Sequence, residues 1–205
     1  MVAARPLPAL SPVDFDQRVV LHGVSWQAYE ALLAWRGDRG VPRMTYLEGE
    51  LEFTAPARRH ETDKKRLARL LEAWAEETGM PFEGVGSWTV KNPDVERGAE
   101  ADECYVLGDP EAVDAPDIAI EVVWKHAGID KLEVWRKLGA REVWVWQAGA
   151  LTIHVLRRQR YAASPKSALL PKLDPALIER CMTCASQSEA VGALRAALRL
   201  KRRRR

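Results

Sequence analysis

Between Glu100 and Lys131 the chain reads EADECYVLGDPEAVDAPDIAIEVVWKHAGIDK, and both of its apolar runs carry acids. Asp102 and Glu103 open the run ending in CYVL. Glu121 stands inside IAIEVVW, between Ile120 and Val122. A carboxylate in a buried strand is costly unless a cation or a metal neutralises it. Residues two apart in a strand share a face, so Ala119, Glu121 and Val123 look one way and Ile120, Val122 and Trp124 the other. Asp117 shares the face of Glu121, but four residues of strand span ~13 Å, too far for both to bind one ion. Asp102, on the other run, is the better partner. Gly108, Asp109, Pro110 and Pro116 supply turn chemistry that lets the two runs lie side by side. Two carboxylates meeting at one point make an oxygen-rich site for a hard divalent cation, magnesium or manganese.

A lysine follows. Asp130 is placed to N-cap a helix, Leu132, Trp135 and Leu138 have helical spacing, and Gly139 is a stop. Lys131 then falls in the first turn, where a cation opposes the helix dipole, so its placement asks for a reason. Beside a metal, an ammonium can orient a water or steady phosphate charge.

The order acid, Glu, Lys on adjacent elements resembles the PD-(D/E)XK nuclease superfamily. More specifically, EADECYVL, PDIAIEVV and GIDKLEVWRKLGAREVWVW, with MTYLEGELEF and RRHETDKKRLARLLEAW upstream, resemble the Uma-two-like restriction endonuclease family over roughly residues 20–160. The resemblance implies a restriction-endonuclease-like α/β fold, with a central mixed β-sheet of about five or six strands flanked by helices. It implies a magnesium- or manganese-dependent endonuclease acting on DNA. Asp102 and Glu121 would be metal ligands, and Lys131 the catalytic lysine. The superfamily places that lysine two residues after the glutamate; here Val123 stands there, and Lys131 is the substitute. The alternative is a catalytically inactive nucleic-acid-binding or regulatory module on the same fold. A dimeric structural protein using exposed tryptophans is a third reading.

The chain has 205 residues, enough for one good core with appendages. No apolar run approaches the ~20 residues of a membrane span. The proline-broken N-terminus does not read as a signal peptide, and Cys104, Cys181 and Cys184 do not make a disulfide framework, so a cytoplasmic setting is expected. Formal net charge is +2. Five of the positive charges lie in the tail Lys201–Arg205, leaving 2 − 5 = −3 for the remainder. A phosphate-binding surface must therefore be a local patch. Partners expected are DNA and, in a homodimer, a second copy of the chain.

Four segments are expected: a flexible arm over 1–20, the nuclease-like domain over 21–160, a helical extension over 161–200 and the basic tail 201–205, which should be disordered. SWQAYEALLAWR reads as a helix capped by Ser25, and MTYLEGELEF as a hairpin turning at Glu48-Gly49. Glu50 shares a face with Glu52, so it either looks toward the site or is an exposed hairpin charge. A long helix carries the stripe Leu67, Leu70, Leu71 and Trp74 and stops at Gly79. Near its start, His60 and Glu61 either border the metal or sit on a solvated first turn. GSWTVK reads as a strand and NPDVERG as a loop. Glu100, two before Asp102, is a second ligand or merely exposed. REVWVWQAGALTIHVL is a second hairpin, in which His154 reads as structural. A loop follows Tyr161, then two helices. Cys181-x-x-Cys184 lacks two further zinc ligands and reads as packing. Clustered carboxylates repel without a cation, so Asp102→Asn is expected to raise the melting temperature in metal-free buffer.

Overall fold

The computed structural model describes residues 16–123 and 128–203. Most of the expected N-terminal arm lies outside these residues, as do Trp124, Lys125 and the last two arginines of the tail. Eleven strands and five α-helices follow one another among the described residues. The order is β1 (Gln17–Leu21), α1 (Trp26–Arg36), β2 (Arg43–Leu47), β3 (Glu50–Ala55), α2 (Arg58–Thr78), β4 (Glu83–Gly84), β5 (Thr89–Asn92), β6 (Arg97–Glu100), β7 (Glu103–Val106) and β8 (Ile118–Val123). The remainder are α3 (Lys131–Leu138), β9 (Glu142–Gln147), β10 (Ala150–Arg157), β11 (Arg160–Ser164), α4 (Pro175–Met182) and α5 (Gln187–Arg203).

The architecture is mixed α/β, built on two sheets where one central sheet was expected. A five-stranded antiparallel sheet has the order β1-β3-β2-β6-β5. A six-stranded sheet has the order β11-β10-β9-β8-β7-β4, mixed because β8 and β9 run parallel. Three elements depart from the sequence reading. Gln17–Leu21, nearly all within the expected flexible arm, is β1, paired with β3. Arg97–Glu100, its first two residues expected as the end of a loop, is β6, and Arg160–Ser164, expected to run into a loop after Tyr161, is β11. Neither carries an apolar run; each is a strand because a neighbour offers its edge, β2 and β5 for β6 and β10 for β11.

Local signals decide the rest. Ser25 accepts a hydrogen bond from Ala28 N–H and caps α1. The two hairpins turn at Glu48-Gly49 and Ala148-Gly149, all four residues at positive φ. Gly79 closes α2 in the left-handed conformation. At the start of α5, Ser186 N–H donates to the Glu189 carboxylate and Glu189 N–H to the Ser186 hydroxyl, a capping box. That helix continues through Lys201 to Arg203, so the first three tail cations are helical, not disordered, and Lys201 pairs with Asp174 at 2.9 Å.

The alternation in β8 sorts the two faces of the larger sheet. Ile118, Ile120 and Val122, with Trp144 and Trp146 of β9, pack against the stripe of α2 and against α4 and α5. Cys181 belongs to this core. On the opposite face, Ala119 and Val143 pack with Trp135 and Leu138 of α3. A third cluster, with Tyr29 stacked on Tyr46 at 4.9 Å between centroids, fastens α1 to the smaller sheet. Among the described residues no helix is long and apolar enough to cross a membrane.

Candidate active site

Glu121 lies on the α3 side of β8, and every pair in register with it keeps to that side. Glu121 pairs with Val145, which pairs with Thr152, while Ala119 pairs with Val143 and then His154. In the smaller sheet, Arg43 and Thr45 of β2 pair with Thr54 and Glu52 of β3, and Arg18 of β1 also pairs with Thr54. These two polar faces and the loop entering α3 enclose a cavity of about 610 Å³. Asp102, Glu121, Lys131, His60, Arg43 and His154 all line it.

Asp102 reaches the cavity through an irregularity. Its N–H donates to Ile120 O, and Glu103 is registered against the same residue. Two residues therefore face one, the pattern of a β-bulge, which redirects a side chain at the end of a ladder. The Asp102 carboxylate then accepts the N–H of Val122 at 2.6 Å through Oδ2, so it flanks the peptide that follows Glu121. Asp102 and Glu121 are each 2% exposed.

Both acids already have cationic partners. Lys131 Nζ donates to Glu121 Oε2 at 2.5 Å, and the Trp135 indole donates to Oε1 at 2.7 Å. Lys131 and Trp135 are one helical turn apart and address the same carboxylate. This is the reason for a lysine in the first turn of α3, where Asp130 supplies the cap to Leu132 and Glu133 N–H. At Asp102, Oδ1 receives the Arg43 guanidinium through Nη1, and the other Arg43 amino group holds Glu61 Oε1 at 2.8 Å.

His60 sits against the same oxygen. Its Nε2 is 3.0 Å from Asp102 Oδ1, outside hydrogen-bonding geometry, and is buried with no hydrogen-bond partner among the described residues. Its Nδ1 meets Asp16 Oδ2 at 3.0 Å. An imidazole with one nitrogen on a carboxylate and the other open is the usual posture of a metal-binding histidine. Adjacent ligands of one magnesium-sized ion lie about 3 Å apart. His60 and Asp102 therefore fit a divalent cation. Among the described residues, however, no three or more His, Cys, Asp or Glu side chains converge as a ready metal site. Arg43 and Lys131 hold the carboxylates as they stand.

Two neighbouring carboxyls lie below their ordinary range. Burial, the largest influence on each, pushes both up. At Asp16 the hydrogen bonds from His60 and Ala57 N–H, with the charges of His60 and Arg18, outweigh it. At Glu61, Lys64, Arg43 and His60 do so. Burial holds His154 below its ordinary value, with Asp130 opposing, so it is neutral at neutral pH. His154 reads as structural in the sequence; the register places it in the cavity wall.

The remaining acids singled out in the sequence are not brought to the cavity. Glu50 faces solvent beside His22 at 3.1 Å. Glu100 is buried on the far side of β6, paired with Arg36 and accepting from Met44 N–H and Thr89 Oγ1. Asp117, at the other end of β8, ties Leu107 N–H and Arg141. The sequence reading missed Arg43, Asp16 and the bond from Trp135. Only Trp135 carried a signal, its four-residue spacing from Lys131.

Glu52 supports the loop beneath the lysine. It is 1% exposed, accepts from Thr54 Oγ1 at 3.0 Å and receives Ile129 N–H at 3.1 Å. Gly128 lies against that carboxylate at φ +144°, and a Cβ there would collide with Glu52 Oε2.

No curated protein matches the chain. A solved structure, a putative nuclease belonging to DUF820 from Anabaena variabilis, is similar over 75% of this chain and 92% of its own, with 12% identity and a TM-score of 0.47. The family described as Uma2, putative restriction endonuclease, matches residues 26–182. That span is more than half of the sequence, and the chain belongs to the Uma2 family.

Proposed function

We propose that the protein is a metal-dependent endonuclease that hydrolyses DNA phosphodiester bonds, with Asp102, Glu121 and Lys131 as its catalytic residues. One observation carries the reading. Two carboxylates and a lysine drawn from three elements meet in one cavity, with Lys131 Nζ 2.5 Å from Glu121. Asp102 and Glu121 would hold magnesium or manganese, and His60 Nε2 is a further donor beside Asp102. The ion would supply Lewis acidity toward a phosphoryl oxygen and a more acidic bound water. Lys131 would orient that water or balance charge developing on the phosphate. Trp135 fixes the Glu121 carboxylate, and Asp16 holds the His60 ring so that Nε2 faces Asp102. The basic first turns of α2, with Arg58, Arg59, Lys64 and Lys65, offer a local phosphate patch near the cavity in a chain of small net charge.

A second reading has its own support. The carboxylate oxygens of Asp102 and Glu121 are all partnered within the protein, as befits a nucleic-acid-binding module that kept the fold without the chemistry. Single-turnover cleavage of supercoiled and linear DNA in magnesium or manganese, beside a binding titration in calcium, separates the two. For the enzyme, Lys131→Ala lowers the cleavage rate far more than the affinity, because only differential binding accelerates chemistry. Wild-type protein that binds but never cuts favours the module. Cleavage surviving both Lys131→Ala and Glu121→Gln refutes the assignment of the site.

A further inference from the structure

Arg43 is the buried cation nearest Asp102, and the catalytic scheme above gives it no part. Its guanidinium bridges two acids of different character. Asp102 is 2% exposed, whereas the Glu61 side chain is 44% exposed and is also held by Lys64 at 2.5 Å. Arg43 therefore has an inner partner and an outer one. The inner contact falls on Asp102 Oδ1, the oxygen that also faces the orphaned Nε2 of His60. A divalent ion held between that oxygen and His60 would meet the guanidinium head-on. Two cations cannot share one carboxylate oxygen in a buried site without strong repulsion.

We propose that Arg43 is a displaceable counter-ion. In the ion-free protein it neutralises Asp102. When a divalent cation takes Asp102, Arg43 stays tethered to Glu61 and turns its freed amino group into the cavity, where it meets a phosphate oxygen of the nucleic acid. The inference rests on the metal-dependent reading proposed above. The outer anchor gives it physical content. Arg43 Nη2 stays 2.8 Å from Glu61 Oε1, so the guanidinium keeps a partner after leaving Asp102 and is not stranded as a lone buried charge. The cavity supplies room, since Arg43 lines it together with Thr45, Thr54 and His60. An arginine fork also matches a phosphate better than a point charge would. Ion and nucleic acid would then promote each other's binding, each removing the state that competes with the other.

The test compares wild type with Arg43→Met, which removes the charge, and Arg43→Gln, which keeps a donor. Manganese binding is measured by calorimetry and by the free-ion paramagnetic resonance signal. Duplex DNA affinity is measured with and without calcium. Both variants should bind manganese about tenfold more tightly than wild type, and calcium should improve their DNA affinity less, within the usual span of site-to-site coupling. Equal manganese affinity in wild type and both variants overturns the role of Arg43 and leaves the metal reading standing. Manganese binding by none of them overturns both. Should the variants not fold, wild type suffices: magnesium must shift the arginine side-chain nitrogen resonances that report the Asp102 contact, and unmoved resonances at saturating magnesium overturn the proposal.

Discussion

Lys131→Met tests whether Glu121 depends on its lysine. Methionine keeps the length of the stem and removes the charge, leaving a carboxylate that is 2% exposed with only the Trp135 indole as donor among the described residues. Breaking a fully buried ion pair costs ~3–5 kcal/mol. The Lys131 side chain is 22% exposed, so water reaches that end of the pair, and the indole bond remains. The expected loss is therefore ~2–3 kcal/mol, or roughly 4–12 °C in melting temperature for a chain of this size. Urea titrations give the free energy and thermal scans the shift. Glu121→Gln/Lys131→Met should return to within about 1 kcal/mol of wild type, because the stranded charge is gone. Magnesium at about one hundred times its dissociation constant should restore ~2.7 kcal/mol to Lys131→Met, the ion taking the place of the ammonium. A Lys131→Met protein within ~0.5 kcal/mol of wild type would refute the reasoning, since Glu121 would then carry no charge that needs a partner.

Three further outcomes follow from the same contacts. Asp102→Asn should lower stability in metal-free buffer by ~2–4 kcal/mol by urea titration, the reverse of what clustered acids alone imply, because it strips Arg43 of its inner partner. The Asp16 carboxyl lies below its ordinary value of 3.8, so its stabilising contribution is present above that pH and is lost as pH falls through the lower folded value. Urea midpoints of Asp16→Asn should accordingly fall less steeply than those of wild type below about pH 4, and parallel acid limbs would count against the contact. Gly128→Ala should cost about 2 kcal/mol or more, from positive φ and from collision with Glu52, and Glu52→Ala in the same chain should relieve only the collision.

Much of this site was legible because buried charge is conspicuous in a strand. Glu121 inside an apolar run, an acid pair at the head of the preceding one and a lysine in a helical first turn each violate a local preference, and Glu121, Lys131 and the first acid of the pair, Asp102, line the cavity. Helix caps and positive-φ turns were equally readable, since Ser25, Gly49, Gly79 and Gly139 act on their immediate neighbours. What escaped was whatever depends on pairing across distance. Arg43 opens a strand of ordinary composition, and only the three-dimensional arrangement sets it on Asp102, 59 positions away by numbering. The strand Arg97–Glu100 contains glycine, arginine and glutamate and has no alternation to read; β2 and β5 impose its extension. Two sheets were not separable from one, because nothing in EADE marks where the chain leaves one ladder for the next.

That passage is short. β6 of the smaller sheet ends at Glu100 and β7 of the larger begins at Glu103, so Ala101 and Asp102 alone join them. The chain also crosses between the sheets from β3 through α2 to β4 and from β4 to β5, but β6 to β7 is the shortest crossing, so rocking of one sheet against the other bears most directly on the residue whose carboxylate meets Arg43 and the Val122 peptide. Widening the cleft between the sheets and retuning the grip on Asp102 are thus a single mechanical coordinate. A nucleic acid that wedges the two sheets apart would pull on the very side chain that holds the site's charge in balance.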